Sequence, residues 1–274
     1  MESSPDLTAI HNPIQHHIDT AGANVAIALR MLDGESWLFR NQHEVYHAAS
    51  TMKIPVMIEL FRQVHAGKVS LDESIPTVNQ FKSMVDGSAY ALDMEYDEDQ
   101  HIAAASTQTL LELCEAMITV SSNLATNLLI AHLGVENIQA VLAAMGADEM
   151  RVLRGLEDGK AFDAGLNNTT TAWALLRQLE ALGNATVVDS SSCEEMIAIM
   201  KRQKWVDGIP AGLPLGVEVA NKTGEITQIH HDAGIVYGER PFVLVILTRG
   251  IQNRTVSAAL IATLTRIVYE ALHR

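Results

Sequence analysis

Cysteine is nearly absent. Cys114 and Cys193 are the only two in 274 residues, too few for a disulfide framework; two can pair, or stay free as small buried hydrophobes, and the free, buried state is expected. Proline is sparse, at seven, and no low-complexity linker or repeat interrupts the chain. Basic residues are in the minority, 19 against 33 acidic, for a net charge of −14 and a pI near 5.1. With no basic stripe to offset that charge, nucleic acid and anionic membrane surfaces are excluded as partners because both would repel the chain. No run of about 18 apolar residues, the length a membrane span needs, occurs anywhere, and the opening MESSPDLTAI has neither a basic nor an apolar segment. Met1 is either a native start or the start left after an export signal is removed.

Against these absences stands a hydrophobic content of 48%. A chain of this length can bury a large core without metal or disulfide. Residues 6–20 read as a first helix. Val25 to Leu32 and Trp37 to Arg40 flank the turn Asp33-Gly34 as a hairpin. From Ser50 the apolar period becomes helical through Ile54, Met57, Ile58 and Phe61, and Gly67 ends it. Two more helical stretches lie between Ser106 and His132, another over 169–182 behind a threonine cap, and another over 193–202. The pattern then reverts to strands at 216–222, 232–237 and 242–248, and the last 19 residues form an amphipathic closing helix. Strands at both ends and helices between them define an α+β class: one antiparallel sheet built from both termini, flanked by terminal helices, with an all-helical lobe inserted. The expected lobes are 1–49 plus 215–274, and 50–214, with a cleft where they meet.

The stretch HEVYHAASTMK, 43–53, contains two hydrolytic motifs. HExxH binds zinc only when both histidines lie on one helical face. His43 to His47 follows a hairpin and contains Val45 and Tyr46; extended, it would hold its histidines about 13 Å apart, and no third ligand stands downstream. Metal and cofactor sites are therefore not expected. SxxK, Ser50 to Lys53, sits where a helix begins, which puts the amine one turn from the hydroxyl it would activate.

Two further elements follow in order: Ser121-Ser122-Asn123 and Lys222-Thr223-Gly224. With SxxK they resemble the SDN and KTG elements of class A β-lactamases and penicillin-binding proteins, and the chain resembles a class A β-lactamase-like serine hydrolase over nearly its whole length. The resemblance implies Ser50 as nucleophile, Lys53 as its proton acceptor, and Ser121 as the relay to the departing nitrogen. Asn123 would hold the substrate's side-chain amide, Lys222 would add positive potential, and Thr223 would bond a carboxylate. Gly224 would let substrate lie against the strand, and the Glu225 N–H would join that of Ser50 as the oxyanion hole. It implies a small-molecule β-lactam or related acyl substrate, no cofactor, and a periplasmic or secreted location.

The chain departs from that pattern in places. Ser122 replaces the aspartate. The ExxLN element of the deacylation base is absent from RVLRGLEDGKAFDAGLNNTTT, 151–171; Glu157 is the candidate base, Asp158 the alternative, with Arg151 and Arg154 as bracing arginines. The arginine expected on the strand after KTG is missing. His230, His231 or Arg249 are the available substitutes unless the substrate carries no carboxylate, and the histidine pair is expected on the surface. Met57 stands where some relatives pair a cysteine with Cys114, which excludes that disulfide. The preferred activity is β-lactam hydrolysis through an acyl-serine. The alternatives are a carboxypeptidase- or esterase-type hydrolase of the same machinery, and a penicillin-binding sensor that stays acylated.

Overall fold

The chain, described by a computed structural model over residues 7–34, 37–94, 102 and 106–273, opens with a 3-10 turn, Leu7–Ile10, that runs into α1 (His11–Ala21). Ile14 and Ile18 are the buried face of α1, four residues apart. Gly22 ends it at φ +62, where its N–H reaches back to Asp19 O. The expected hairpin follows: β1 (Asn24–Met31) pairs antiparallel with β2 (Trp37–Arg40), Arg30 opposite Trp37. A short β3 (Tyr46–His47) leads into a 3-10 turn, Ala49–Met52, and then α2 (Lys53–His65). Ser50 therefore lies in the tightened first turn of a helix that is buried almost all round.

The inserted lobe contains helices and short strand pairs. β4 (Ser74–Pro76), β5 (Phe81–Lys82), β6 (Ala89–Tyr90) and β7 (Thr107–Thr109) pair as β4 with β7 and β5 with β6. Side-chain caps start most of the helices, each satisfying an otherwise orphaned N–H. Thr109 and Glu112 make a capping box for α3 (Leu110–Thr119), and Ser122 caps α4 (Asn123–Leu133). Next come α5 (Val135–Ala144) and α6 (Gly159–Asp163), the latter capped by Asp158. The first two threonines of the TTT run do not begin the helix as expected. They form β8 (Thr169–Thr170) against β3, and only Thr171 caps α7 (Ala172–Gly183). Asp189 caps α8 (Ser190–Lys201).

The chain returns through β9 (Glu218–Ile226), β10 (Ile229–Tyr237) and β11 (Phe242–Arg249), then closes with α9 (Arg254–Leu272). All five long strands form one antiparallel sheet in the order β2-β1-β11-β10-β9, so that residues from both ends of the chain pair along β1 and β11. On one face Ile27, Leu29, Leu244 and Ile246 pack against α1 and α9. On the other Ala26, Ala28 and Val245 meet α7 and the inserted lobe, the small alanines giving the helix room. By composition α9 is long and apolar enough to cross a membrane, but Leu264 and Val268 are buried in the sheet's core, which makes it a core helix. β9 is an edge strand, and its end faces the turn that carries Ser50.

Candidate active site

Ala49, immediately before Ser50, holds φ +45, a left-handed conformation that costs a non-glycine residue roughly 1 to 2 kcal/mol. Its surroundings enforce it. The Ala49 N–H donates to His47 Nδ1 at 3.0 Å, and Thr51 Oγ1 donates to Ala48 O at 2.6 Å. Behind the turn lies Gly224 of β9: a Cβ there would stand 3.1 Å from Thr51 N and 3.0 Å from Thr51 Cγ2. A side chain at the glycine of Lys222-Thr223-Gly224 would therefore press on the nucleophile's own turn.

Lys53 is fully buried, and its Nζ donates to Ser121 O (2.7 Å), Ser121 Oγ (3.1 Å) and Asn123 Oδ1 (3.0 Å). Lys222, also fully buried, donates to the same Ser121 Oγ at 3.1 Å and to Thr223 O at 2.9 Å. Burial lowers the Lys222 amine to about 7, with buried Asp232 opposing that fall. Ser121 sits between α3 and α4 at φ +66. Its neighbour Ser122 does by capping what the missing aspartate would do by bracing: the buried hydroxyl accepts from Ala125 N at 3.1 Å.

Asn127 and Asn168, which sequence reasoning passed over, hold the loop at 151–168 together with Asn167. Asn127, one turn after Asn123 on α4, accepts from Leu156 N (2.6 Å) and donates to Leu156 O (3.0 Å). Asn168 accepts from the N–H groups of Leu153 and Arg154 and donates to Arg154 O. The spacing of Asn127 to Asn123, four residues on a helix, was the available signal. Arg154 braces as expected, donating to Leu166 O, Gly155 O and Asn167 Oδ1, whereas Arg151 is exposed and, among the described residues, braces through backbone pairing with Thr169.

The two candidate carboxylates end up in different settings. Glu157, at φ +61, is exposed, accepts from Asn123 Nδ2 at 3.1 Å and from the Asp93 N–H at 3.0 Å, and lines a cavity with Ser50. Asp158 is buried and accepts from Ser83 Oγ, Met84 N and Ala161 N. Burial alone would raise its pKa, but those hydrogen bonds and Arg154 hold it below the ordinary carboxylate value. Ala49, Ser121 and Glu157 are three of the six positive-φ non-glycine residues among those described, and each lines a cavity that Ser50 also lines; such clustering marks functional sites.

Ser50 lies where two cavities meet. One, about 610 Å³, runs past Ser121, Thr223 and Glu225 to His230, Arg254 and Ser257. The other, about 680 Å³, is bordered by Met52, Leu156, Phe162 and Ile226, with Glu157 at its wall. The expected surface histidines are instead buried, a correction with a clear cause: they begin β10 inside the sheet, where successive side chains alternate faces. His231 points to the helical side and His230 to the α9 side. Arg249 is tied to Glu44 and to Val45 O and borders neither of these two cavities. His43 pairs with Glu149, and no cluster of metal-ligating side chains occurs among the described residues.

A hydroxyl at a helix start, a second hydroxyl in the same cleft, and two buried lysines that both donate to the second form a set suited to serine acyl transfer, carried on an α+β scaffold. The chain belongs to the β-lactamase enzyme family, whose model matches residues 9–272. It is 30% identical to β-lactamase AST-1 of Nocardia asteroides over 79% of this chain and 71% of that one. It is 31% identical to β-lactamase 3 of Bacillus cereus over 85% and 73%. Among solved structures, a mutant of PBP-A in acyl-enzyme complex with penicillin G superposes with a TM-score of 0.81 at 26% identity, covering 100% of this chain and 99% of that one.

Proposed function

We propose that the protein opens the β-lactam amide by transferring the acyl group to Ser50 and then to water. The observation that carries this reading is the position of Ser121 Oγ, 3.1 Å from both Lys53 Nζ and Lys222 Nζ. A hydroxyl accepts twice and donates once. With both lone pairs engaged by lysine amines, its single O–H is left for a substrate nitrogen.

Ser50 Oγ attacks the carbonyl carbon as its proton passes to Lys53 in its neutral form. The Ser50 and Glu225 N–H groups receive the oxyanion, each donor of this kind being worth about 3 to 4 kcal/mol. As the C–N bond breaks, Ser121 gives its proton to the nitrogen and is reprotonated from the lysine side. Asn123 holds the side-chain amide, and Lys222 and Thr223 the polar end of the substrate. Glu157 then takes a proton from the water that frees Ser50. Family precedent supports a periplasmic or secreted place of action.

A second reading, a protein that is acylated and stays so, is favoured by one observation: Asn127 clamps the backbone of Leu156 and not that of Glu157. Incubation with a chromogenic cephalosporin separates the two. Sustained turnover supports hydrolysis, while one equivalent of colour with added mass retained on Ser50 supports the stable acyl-enzyme. No colour and no added mass would sink both.

A further inference from the structure

His231 lies one strand in from the sheet edge, and its imidazole is fully buried. The Thr248 N–H of β11 donates to its Nδ1 at 3.2 Å, and its Nε2 stands 3.0 Å from His47 O. A ring nitrogen that accepts a backbone N–H carries no proton, so the imidazole is the Nε2–H tautomer and donates to that carbonyl. Tyr46 packs edge-on against the ring, with centroids 5.7 Å apart. Burial holds the His231 pKa down to about 4. The neutral ring therefore keeps one donor and one acceptor, and both are engaged.

The side chain and the backbone of this residue serve different parts of the cleft. The imidazole holds the carbonyl of His47, whose own Nδ1 accepts from the Ala49 N–H at 3.0 Å. Left-handed Ala49 forms the peptide bond that carries the Ser50 N–H. The His231 backbone, in β10, lies directly opposite Gly224 of β9, the residue before Glu225. Gly224 abuts the same turn, since a Cβ on it would stand 3.2 Å from Ala49 Cβ. The two N–H groups that receive the oxyanion thus come from separate segments, and His231 grips both segments. Spacing matters here, because a misplacement of about 1 Å can cost on the order of 10²-fold in rate.

We propose that His231 is a positioning residue for the oxyanion hole: it sets the separation of the Ser50 and Glu225 N–H groups, holding the first through its side chain and the second through its backbone. This rests on the acyl-serine reading and adds to it the group that keeps the two donors in register.

The test compares His231→Leu with His231→Gln. Leucine deprives His47 O and the Thr248 N–H of their partner, whereas the glutamine amide can donate to the one and accept from the other. Two probes read the site: phenylboronic acid, which Ser50 Oγ converts to a tetrahedral adduct with an oxygen in the oxyanion hole, and a chromogenic cephalosporin. His231→Leu is expected to lose about tenfold or more in boronate affinity and in saturated acylation rate, while the half-saturating cephalosporin concentration stays within about twofold. His231→Gln should recover most of both losses. A role in packing alone would lower the melting temperature and leave both readouts where they are, which overturns the proposal; so does a loss confined to half-saturation, or no recovery with glutamine. Imidazole ¹⁵N resonances of the unsubstituted protein give a readout that needs no variant to fold: the Nε2–H tautomer supports the proposal, and the Nδ1–H tautomer, which cannot donate to His47 O, overturns it. Failure of the β-lactam reading is seen separately, as no coloured product from any of these proteins, and leaves the boronate comparison standing.

Discussion

Asn123 Nδ2 donates to Glu157 Oε1 at 3.1 Å, while the other end of the same amide accepts from Lys53 at 3.0 Å. One side chain thus spans the acylation and deacylation halves of the cleft. Glu157→Gln is expected to leave the burst of acylation intact and slow deacylation by about 10² to 10⁴-fold, the usual loss when a general base is removed. Intact-protein mass should show the acyl adduct accumulating. Because Glu157 is exposed, the melting temperature should hardly move.

Asp158→Asn should do the reverse. Its carboxylate satisfies three donors around the cap of α6, so loss of one acceptor oxygen should cost about 1 to 3 kcal/mol in urea unfolding while turnover survives at low temperature. The folded pKa lies below the unfolded value of 3.8, so the unfolded chain binds more protons there. The stabilisation is present above 3.8 and is lost as pH falls through the folded value; the asparagine variant should lack that acid-side loss. A trapped acyl-enzyme in this variant would reassign the base.

Ser121→Ala removes the acceptor shared by two buried lysine amines and the O–H offered to the departing nitrogen. Acylation by a chromogenic cephalosporin should fall about 10² to 10⁴-fold, and Ser50→Ala should abolish acylation altogether. Normal acylation without Ser121 would remove the proton relay from the mechanism.

His47 holds the left-handed turn before Ser50 by accepting from Ala49 N–H through Nδ1. Its pKa is lowered from 6.5 by burial and by Arg154, so the acceptor nitrogen stays bare at neutral pH. Acid protonates it and breaks that bond, so the bond's contribution is present above 6.5 and lost as pH falls through the lowered value. In pH–rate profiles, His47→Asn should displace the acid limb. His47→Ala should reduce acylation at every pH.

Gly224→Ala brings a Cβ to 3.1 Å from Thr51 N, a contact that backbone cannot relieve by side-chain rotation. Overpacking of this kind costs about 1 to 3 kcal/mol. Acylation should suffer more than stability, because the displaced element is the turn that aims Ser50; comparison of melting temperature with acylation rate decides the point.

Much of this architecture was legible in local patterns. The hairpin around Asp33-Gly34, the helical period after Ser50, the threonine cap and the closing amphipathic helix each follow from periodicity or capping within a few residues. The TTT run was read one element too long, since Thr169 and Thr170 are claimed by pairing with Tyr46 and His47, more than 120 residues earlier in the chain. The burial of His230 and His231 was missed for a similar reason: a strand's local pattern does not say how far the neighbouring strand continues beside it.

By itself the sequence determined which chemistry is present: a hydroxyl one turn from an amine, a serine between two helices, a lysine on a strand ahead of a glycine. Those depend on short-range periodicity, which neighbouring residues specify. Tertiary structure alone decided which groups act together. Ser121 lies 68 residues from Lys53 and 101 from Lys222, and only closure of the sheet by both chain ends brings the three into contact. The same folding turned Glu157 toward Asn123 and sank Asp158 into a cap, because burial and hydrogen-bond partners, not residue type, distinguish two adjacent carboxylates.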